Sequence, residues 1–387
     1  MWSRHNRALL IKVLLLVVML LVVISGLTGL GCIKGLQSVG WSGGVVADGS
    51  LFVGSEEGRL VVINIADGSR QWSEAIPRPA SGGFGCAAPT AGGGCAAAPA
   101  GVAIYGTPAV ANGLAYIGGY NGKIYAFNST SLAIRWVYPR EDNLEPIVSG
   151  PVVAQGKLYI GGSDGKLYAL DAETGDREWE FQTGDKIWST PAIDGDTLYI
   201  GSFDNKLYAL STADGSKQWE FETEGAIAAI PLVYNDMVYV GSFDRYLYAL
   251  DATDGSLRWK FVGGNWFWAK PVAYDGVIYA GNLDGKVYVL DAKSGNKLAE
   301  FDLGSPVSAS PVIVNGSVIF ASRQGVIYAL DTVSNKIRQL VDVEKDVYGP
   351  LSAGEGVVYI HTQDMTLHLV DANTGTKLKT ISLKSSE

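Results

Sequence analysis

The chain has 387 residues, more than one hydrophobic core usually supports, and its 49 Gly and 19 Tyr suit short strands and tight turns. A formal net charge of −9 excludes nucleic acid as a partner, because no basic stripe exists to release counterions. Only 4 Met and 3 His leave little for metal ligation.

Arg4, Arg7 and Lys12 lead into an apolar run at 13–24, which gives way to the small residues of 25–32. A basic start, an apolar middle and a small-residue end describe an export signal. Counted from Ala8 to Leu27, the stretch is also just long enough for an uncleaved membrane anchor. Either reading places the chain beyond about residue 32 outside the cytoplasm. Leu30-Gly31-Cys32 resembles the lipobox of bacterial lipoproteins, which implies lipidation at Cys32. Cysteine arithmetic agrees, since Cys86 and Cys95 can pair in an oxidising compartment and leave Cys32 over. Lipoprotein, cleaved signal and anchor all stay open.

From Phe52 the chain repeats itself. Tyr159, Tyr199, Tyr239 and Tyr279 are spaced by 40 residues, Ile319 and Tyr359 continue the step, and Phe52 and Tyr116 precede it at intervals of 64 and 43. A fixed period of this length signals a repeat architecture. In the unit 158–181, β-rich runs flank the hairpin signal Ser163-Asp164-Gly165, and Asp171–Gly175 makes a second turn before Glu178-Trp179-Glu180-Phe181. Trp188–Ile193 supplies a further short strand ahead of the next tyrosine. Four strands per 40 residues leave no room for a helix. The prediction is all-β: residues 33–387 form an eight-bladed β-propeller of four-stranded antiparallel blades. Proline recurs at 108, 151, 191, 231, 271, 311 and 350, with Gly44 at that register in the first unit. Lacking a donor, it belongs at the start of the innermost strand, beside the channel.

In chain order, blade one covers about 41–72. A Gly/Ala/Pro-rich insertion at about 75–101 follows, which a Cys86–Cys95 disulfide would close as a stapled surface loop or a partner-binding finger. Blade two spans about 105–136, a short insertion lies at 138–143, and blades three to seven keep strict register to 339. Blade eight ends near Lys379. All eight sets look complete, so the ring closes blade to blade or through a swapped strand.

Asp171, Asp251, Asp291, Asp331 and Asp371 recur once per blade at one turn and read as turn caps, as do Asp164, Asp204, Asp244 and Asp284 in the hairpins. Departures from the repeat are more informative. Trp266-Phe267-Trp268 and Lys270 stand where other blades carry small residues. Before the proline the series reads Thr107, Gly150, Thr190, Ile230, Lys270, Ser310, Gly349, so Lys270 is its one charge. Trp41, Trp188 and Tyr105 share the Trp268 register, which predicts an aromatic rim suited to recognition, or rings that fill gaps between inner strands. Arg323-Gln324 and Arg140-Glu141-Asp142 read as solvated surface, and His361 and His368 receive no role.

The run ALDAETGDREW at 169–179 resembles the tryptophan-docking repeat of PQQ-like β-propellers; the resemblance covers about residues 41–381. It implies that Trp72, Trp136, Trp179, Trp219 and Trp259 dock between neighbouring blades, while the last three blades carry Ala299, Gln339 and Lys379 instead. Two kinds of protein share such a ring. Quinoprotein dehydrogenases hold PQQ and Ca²⁺ over the channel, are longer, and usually carry vicinal cysteines. BamB-like lipoproteins use the ring as a scaffold in outer-membrane assembly. The bare repeats and the lack of adjacent cysteines are similar to the second. The expectation is a membrane-tethered, non-catalytic scaffold with protein partners at the cell envelope and no cofactor; the alternative is a PQQ-dependent dehydrogenase or quinone-binding subunit.

Overall fold

The structure, a computed structural model, describes residues 42–55, 57–77 and 102–384. The N-terminal segment with Cys32, Trp41, and the Cys86 and Cys95 positions lie outside the described residues.

Each repeat becomes a four-stranded antiparallel sheet with its strands in sequence order, and there are eight such sheets. Blade three shows how the local residues do this. Strands Val152–Ala154, Lys157–Gly161, Lys166–Asp171 and Arg177–Gln182 pair in succession. Between the second and third, Asp164 Oδ1 accepts the Lys166 N–H at 3.0 Å and Gly165 takes φ +77°. After the third, Asp171 Oδ1 accepts the N–H groups of Glu173 and Thr174 at 2.9 and 2.7 Å. The repeated aspartates therefore satisfy turn donors. The two middle strands are buried on both faces, whereas the outermost alternates toward solvent.

Blades join through aromatic side chains. Trp136 Nε1–H and the Tyr116 hydroxyl both donate to the Ala172 carbonyl of the next blade, at 3.0 and 3.1 Å. Trp179 and Tyr159 share the Thr212 carbonyl, Trp219 and Tyr199 that of Ala252, and Trp259 and Tyr239 that of Ala292. Each indole lies on a turn glycine: a Cβ built on Gly255, already at φ +72°, would stand 2.6 Å from the Trp219 ring.

A β-bulge makes this geometry possible. The register of the last two strands shifts after Ala126, Ala169, Ala209, Ala249, Val289 and Leu369. That one extra residue turns the docking position toward the next blade. Blade one has no shift, and Trp72 pairs with Val61, whereas Trp136 pairs with Ala126, the counterpart of Val62. A slip of one residue exchanges faces. Trp72 therefore packs among Tyr359, Leu367 and Ile381 of blade eight instead of docking on blade two, and its indole N–H has no hydrogen-bond partner among the described residues.

The tryptophan-free joints use substitutes. In blade seven the shift comes after Ile327, so Leu340 rather than Gln339 is turned inward, against Gly375 of blade eight. From blade eight, Lys379 lies on Gly68 of blade one and its Nζ donates to the Asp67 carbonyl at 2.7 Å. Arg70 returns a bond to the Ser382 carbonyl at 2.6 Å, and His361 Nδ1 lies 2.9 Å from the buried Ser42 carbonyl. With both sheets complete, closure is blade to blade, through side chains.

The prolines precede the innermost strands, as at Pro151 and Pro191. Pro350 is different: it stands one residue early, at the Thr190 register, and Leu351 takes the proline position. There a backbone N–H is used, since Leu351 donates to the Ser310 carbonyl at 3.0 Å.

Candidate functional site

The segments that enter the innermost strands line a cavity of about 220 Å³ at one mouth of the channel. Two rings of residues build it, because positions two apart on an extended chain share a face. Tyr105, Val148, Trp188, Ala228, Trp268, Ser308 and Tyr348 form the upper ring; Thr107, Gly150, Thr190, Ile230 and Pro350 belong to the lower. Neighbouring segments are tied across blades: the Gly150 N–H donates to Thr190 Oγ1 at 2.8 Å, and the Lys270 N–H to Ser310 Oγ at 3.0 Å.

Alternation separates the aromatic residues of blade six. Trp268 lines the cavity and Trp266 is 39% exposed. Phe267 points the other way and is fully buried between blades five and six, against Gly241, at the register of Ile187, Ile227 and Val307. It is a core residue and no part of the rim.

An arc of rings runs along the mouth. Trp266 stacks on Phe243 of blade five at 4.4 Å and 10°, and Trp268 lies on the same ring at 5.4 Å and 15°. Phe243 meets Phe203 edge-on at 5.7 Å, and Phe203 meets Trp188 at 4.8 Å. The Lys186 ammonium sits 4.5 and 5.0 Å from the Phe203 and Trp188 ring centres, a cation–π arrangement. Across the mouth, Tyr105 packs on Tyr120 at 5.3 Å, while Arg323 lies 4.6 Å over Tyr348 and donates to its hydroxyl at 2.8 Å. Trp188 Nε1–H donates to Ser163 Oγ at 3.2 Å. Trp188, Trp268 and Tyr105 thus come together, with Trp266 beside them.

Phe203 and Phe243 are additions to the set that sequence selected. They hold the first position of their hairpins, where their N–H groups bond the carbonyls of Lys186 and Ala226 at 3.0 Å. Their 40-residue spacing is visible in the sequence, but their meeting with Trp188 and Trp266 depends on how the blades pack.

Lys270 stands at the register of the lower ring but is partly buried and is not among the residues that line the cavity; burial pulls its pKa below the ordinary lysine value. No carboxylate lines the cavity, and among the described residues no group of three or more His, Cys, Asp or Glu is placed to hold a metal ion. A calcium ion would find no carboxylate among the residues that line this cavity.

Residues 31–186 and 182–381 match the family model described as outer membrane protein assembly factor BamB. No curated protein matches the chain. Among solved structures it is similar to the computationally designed Ika8 protein, with a TM-score of 0.70 at 14% identity, over 86% of this chain and 96% of that one. BamB from Moraxella catarrhalis matches with a TM-score of 0.67 at 18% identity, over 87% and 97% of the two chains. At these identities the structural likeness speaks for the fold.

Proposed function

The chain belongs to the family described as outer membrane protein assembly factor BamB, and from that premise we propose that it is a non-catalytic scaffold of the cell envelope, tethered near residue 32, that presents its aromatic mouth to a protein partner. The observation that carries the reading is Trp266. Its indole is solvent-facing yet stacked on Phe243, and its main chain is pinned on both sides: the backbone N–H donates to Asn265 Oδ1 at 2.8 Å and the backbone carbonyl accepts the Leu283 N–H at 3.0 Å. A large ring held rigidly in water loses little conformational entropy on binding, which is the character of an interface anchor.

The test is photo-crosslinking from position 266 in intact cells, beside co-purification with wild type and with the Trp266→Ala/Phe243→Ala pair. The expected outcome is one discrete adduct and a loss of the same protein from the variant of about thirtyfold or more, about 2 kcal/mol for a central aromatic anchor. Undiminished recovery by a folded variant would count against the aromatic mouth. The non-catalytic part is tested separately: with PQQ, Ca²⁺ and alcohols, dye reduction is expected to stay at the level without cofactor.

A further inference from the structure

Blade five departs from the repeat along its outer edge. In blades three, four and six a glutamate of the outermost strand is held by a lysine of the neighbouring strand and by a cation of its own strand. Lys166 and Arg177 hold Glu180 at 2.8 and 2.6 Å, Lys206 and Lys217 hold Glu220 at 2.7 and 2.6 Å, and Lys286 and Lys297 hold Glu300 at 3.0 and 2.5 Å. Blade five has Lys260 in the glutamate's place, Tyr246 in the lysine's, and an exposed Leu257 in that of the second cation. The Lys260 ammonium lies 4.3 Å from the centre of the Tyr246 ring and 6.0 Å from that of Tyr248. Two positions on, and on the same face, an exposed Val262 replaces Gln182, Glu222 and Asp302 of the other strands.

Arg245 adds a second cation. It occupies the hairpin position that Gly165, Gly285 and Gly325 hold in blades three, six and seven, and it takes φ +78°, a left-handed backbone that disfavours a residue with a Cβ. Tyr246 pairs with Val262, and the Arg245 carbonyl accepts the N–H of Gly263 at 2.9 Å, so Arg245, Tyr246, Lys260 and Val262 make one contiguous patch. The ion pair of this edge, Arg258 with Asp251 at 2.6 Å, uses neither cation, and neither has an ion-pair partner among the described residues. The strand Leu257–Val262 is the last of its sheet, so one row of its N–H and C=O groups has no strand beside it. Such an edge offers an incoming chain main-chain bonds, while its basic and apolar side chains select a carboxylate and an apolar group.

We propose that the outer edge of blade five takes an acidic, extended segment of a partner protein as a fifth strand. A carboxylate of that segment lies beside Lys260, an apolar residue two positions along lies beside Val262, and a further acid is drawn to Arg245. The proposal rests on the scaffold reading for the kind of occupant, a protein, but on a surface that Trp266 does not form.

Fluorescence anisotropy with the full-length protein in detergent tests it, using three short peptides: one with Glu and Val alternating along one face and Thr along the other, its counterpart with Gln for Glu, and the Glu peptide with its central Thr replaced by Pro. The Glu peptide is expected to bind about fivefold more tightly than the Gln peptide, the upper worth of an exposed ion pair, with a margin that shrinks as salt is added. The proline peptide is expected to bind about tenfold more weakly than the Glu peptide, because it lacks a ladder donor. Tyr246→Lys/Lys260→Glu gives blade five the ion pair of its neighbours, and Arg245→Gly gives it their hairpin glycine, so neither urea midpoint is expected to fall below that of wild type. The paired variant is expected to reverse the preference between Glu and Gln peptides, and Arg245→Gly to weaken the Glu peptide about two- to fivefold. Equal affinity for Glu and Gln peptides, a preference that survives in the paired variant, or undiminished binding of the proline peptide overturns the proposal. Peptide binding that persists where crosslinking from position 266 fails removes the aromatic mouth alone; crosslinking without peptide binding removes this edge alone.

Discussion

Trp219→Ala lowers stability by about 3–5 kcal/mol, the range for truncating a buried indole, and loosens the joint between blades four and five. The indole is 9% exposed, packs 5.7 Å from Tyr199, and donates to the Ala252 carbonyl that the Tyr199 hydroxyl also uses. Truncation therefore leaves a cavity over Gly255 and removes one of two donors from a shared acceptor. Trp72→Ala is the informative contrast. That ring lies on the opposite face, half-buried, with its N–H unbonded, so its loss is of apolar burial, about 1.5–3 kcal/mol. The measurement is urea denaturation with hydrogen exchange resolved by segment. Faster exchange is expected in blades four and five for Trp219→Ala, and in blades one and eight for Trp72→Ala. Exchange that rises in blade two for Trp72→Ala would contradict the register described above.

Acid is expected to weaken the ring at the junction of blades eight and one. His361 is buried there, its pKa lowered first by desolvation, against the opposing pull of the Ser42 carbonyl and of Asp364. His368, on the partner strand, is lowered by desolvation and by Lys377, with Asp364 opposing, and neither ring nitrogen has a hydrogen-bond partner among the described residues. Both folded-state values lie below the ordinary histidine value of about 6.5. The unfolded chain therefore binds these protons first. Stability is fully present above about pH 7 and declines as pH falls through 6.5, by about 1.4 kcal/mol per pH unit for each histidine until its folded value is reached. His361→Asn preserves a donor toward Ser42 and cannot take up a charge. Urea midpoints between pH 7.5 and 5 are expected to fall less steeply in this variant than in wild type; parallel curves would remove His361 from the account.

The ring was legible in the sequence because each turn is written locally. Asp164-Gly165 and Asp171–Gly175 specify their own hydrogen bonds and positive φ, whatever lies beyond them. Lys270 was legible as an anomaly for the same reason, a charge in a series of small residues. Trp72 was not, since its face depends on a bulge, and a bulge belongs to a pair of strands rather than to either one. Leu340 hid behind Gln339 in the same way. Phe267 was readable after all: strict alternation puts it on the side away from Trp266 and Trp268, at the register of Ile187 and Val307. The aromatic arc joins residues of adjacent blades, 40 apart in sequence for Phe203 and Phe243 and 23 for Phe243 and Trp266, and only the packing of the blades brings them together.

The junction of the last blade with the first also has a kinetic meaning. Blades two to six are linked by four successive indole joints, each between neighbours in the chain, so they form an arc that propagates from local contacts. Contacts such as Arg70 with Ser382 and Lys379 with Asp67 span 312 residues and must wait for nearly the whole chain. Substitutions at these two bonds therefore speed unfolding and leave the folding rate almost unchanged, because the clasp fastens after the barrier has been crossed.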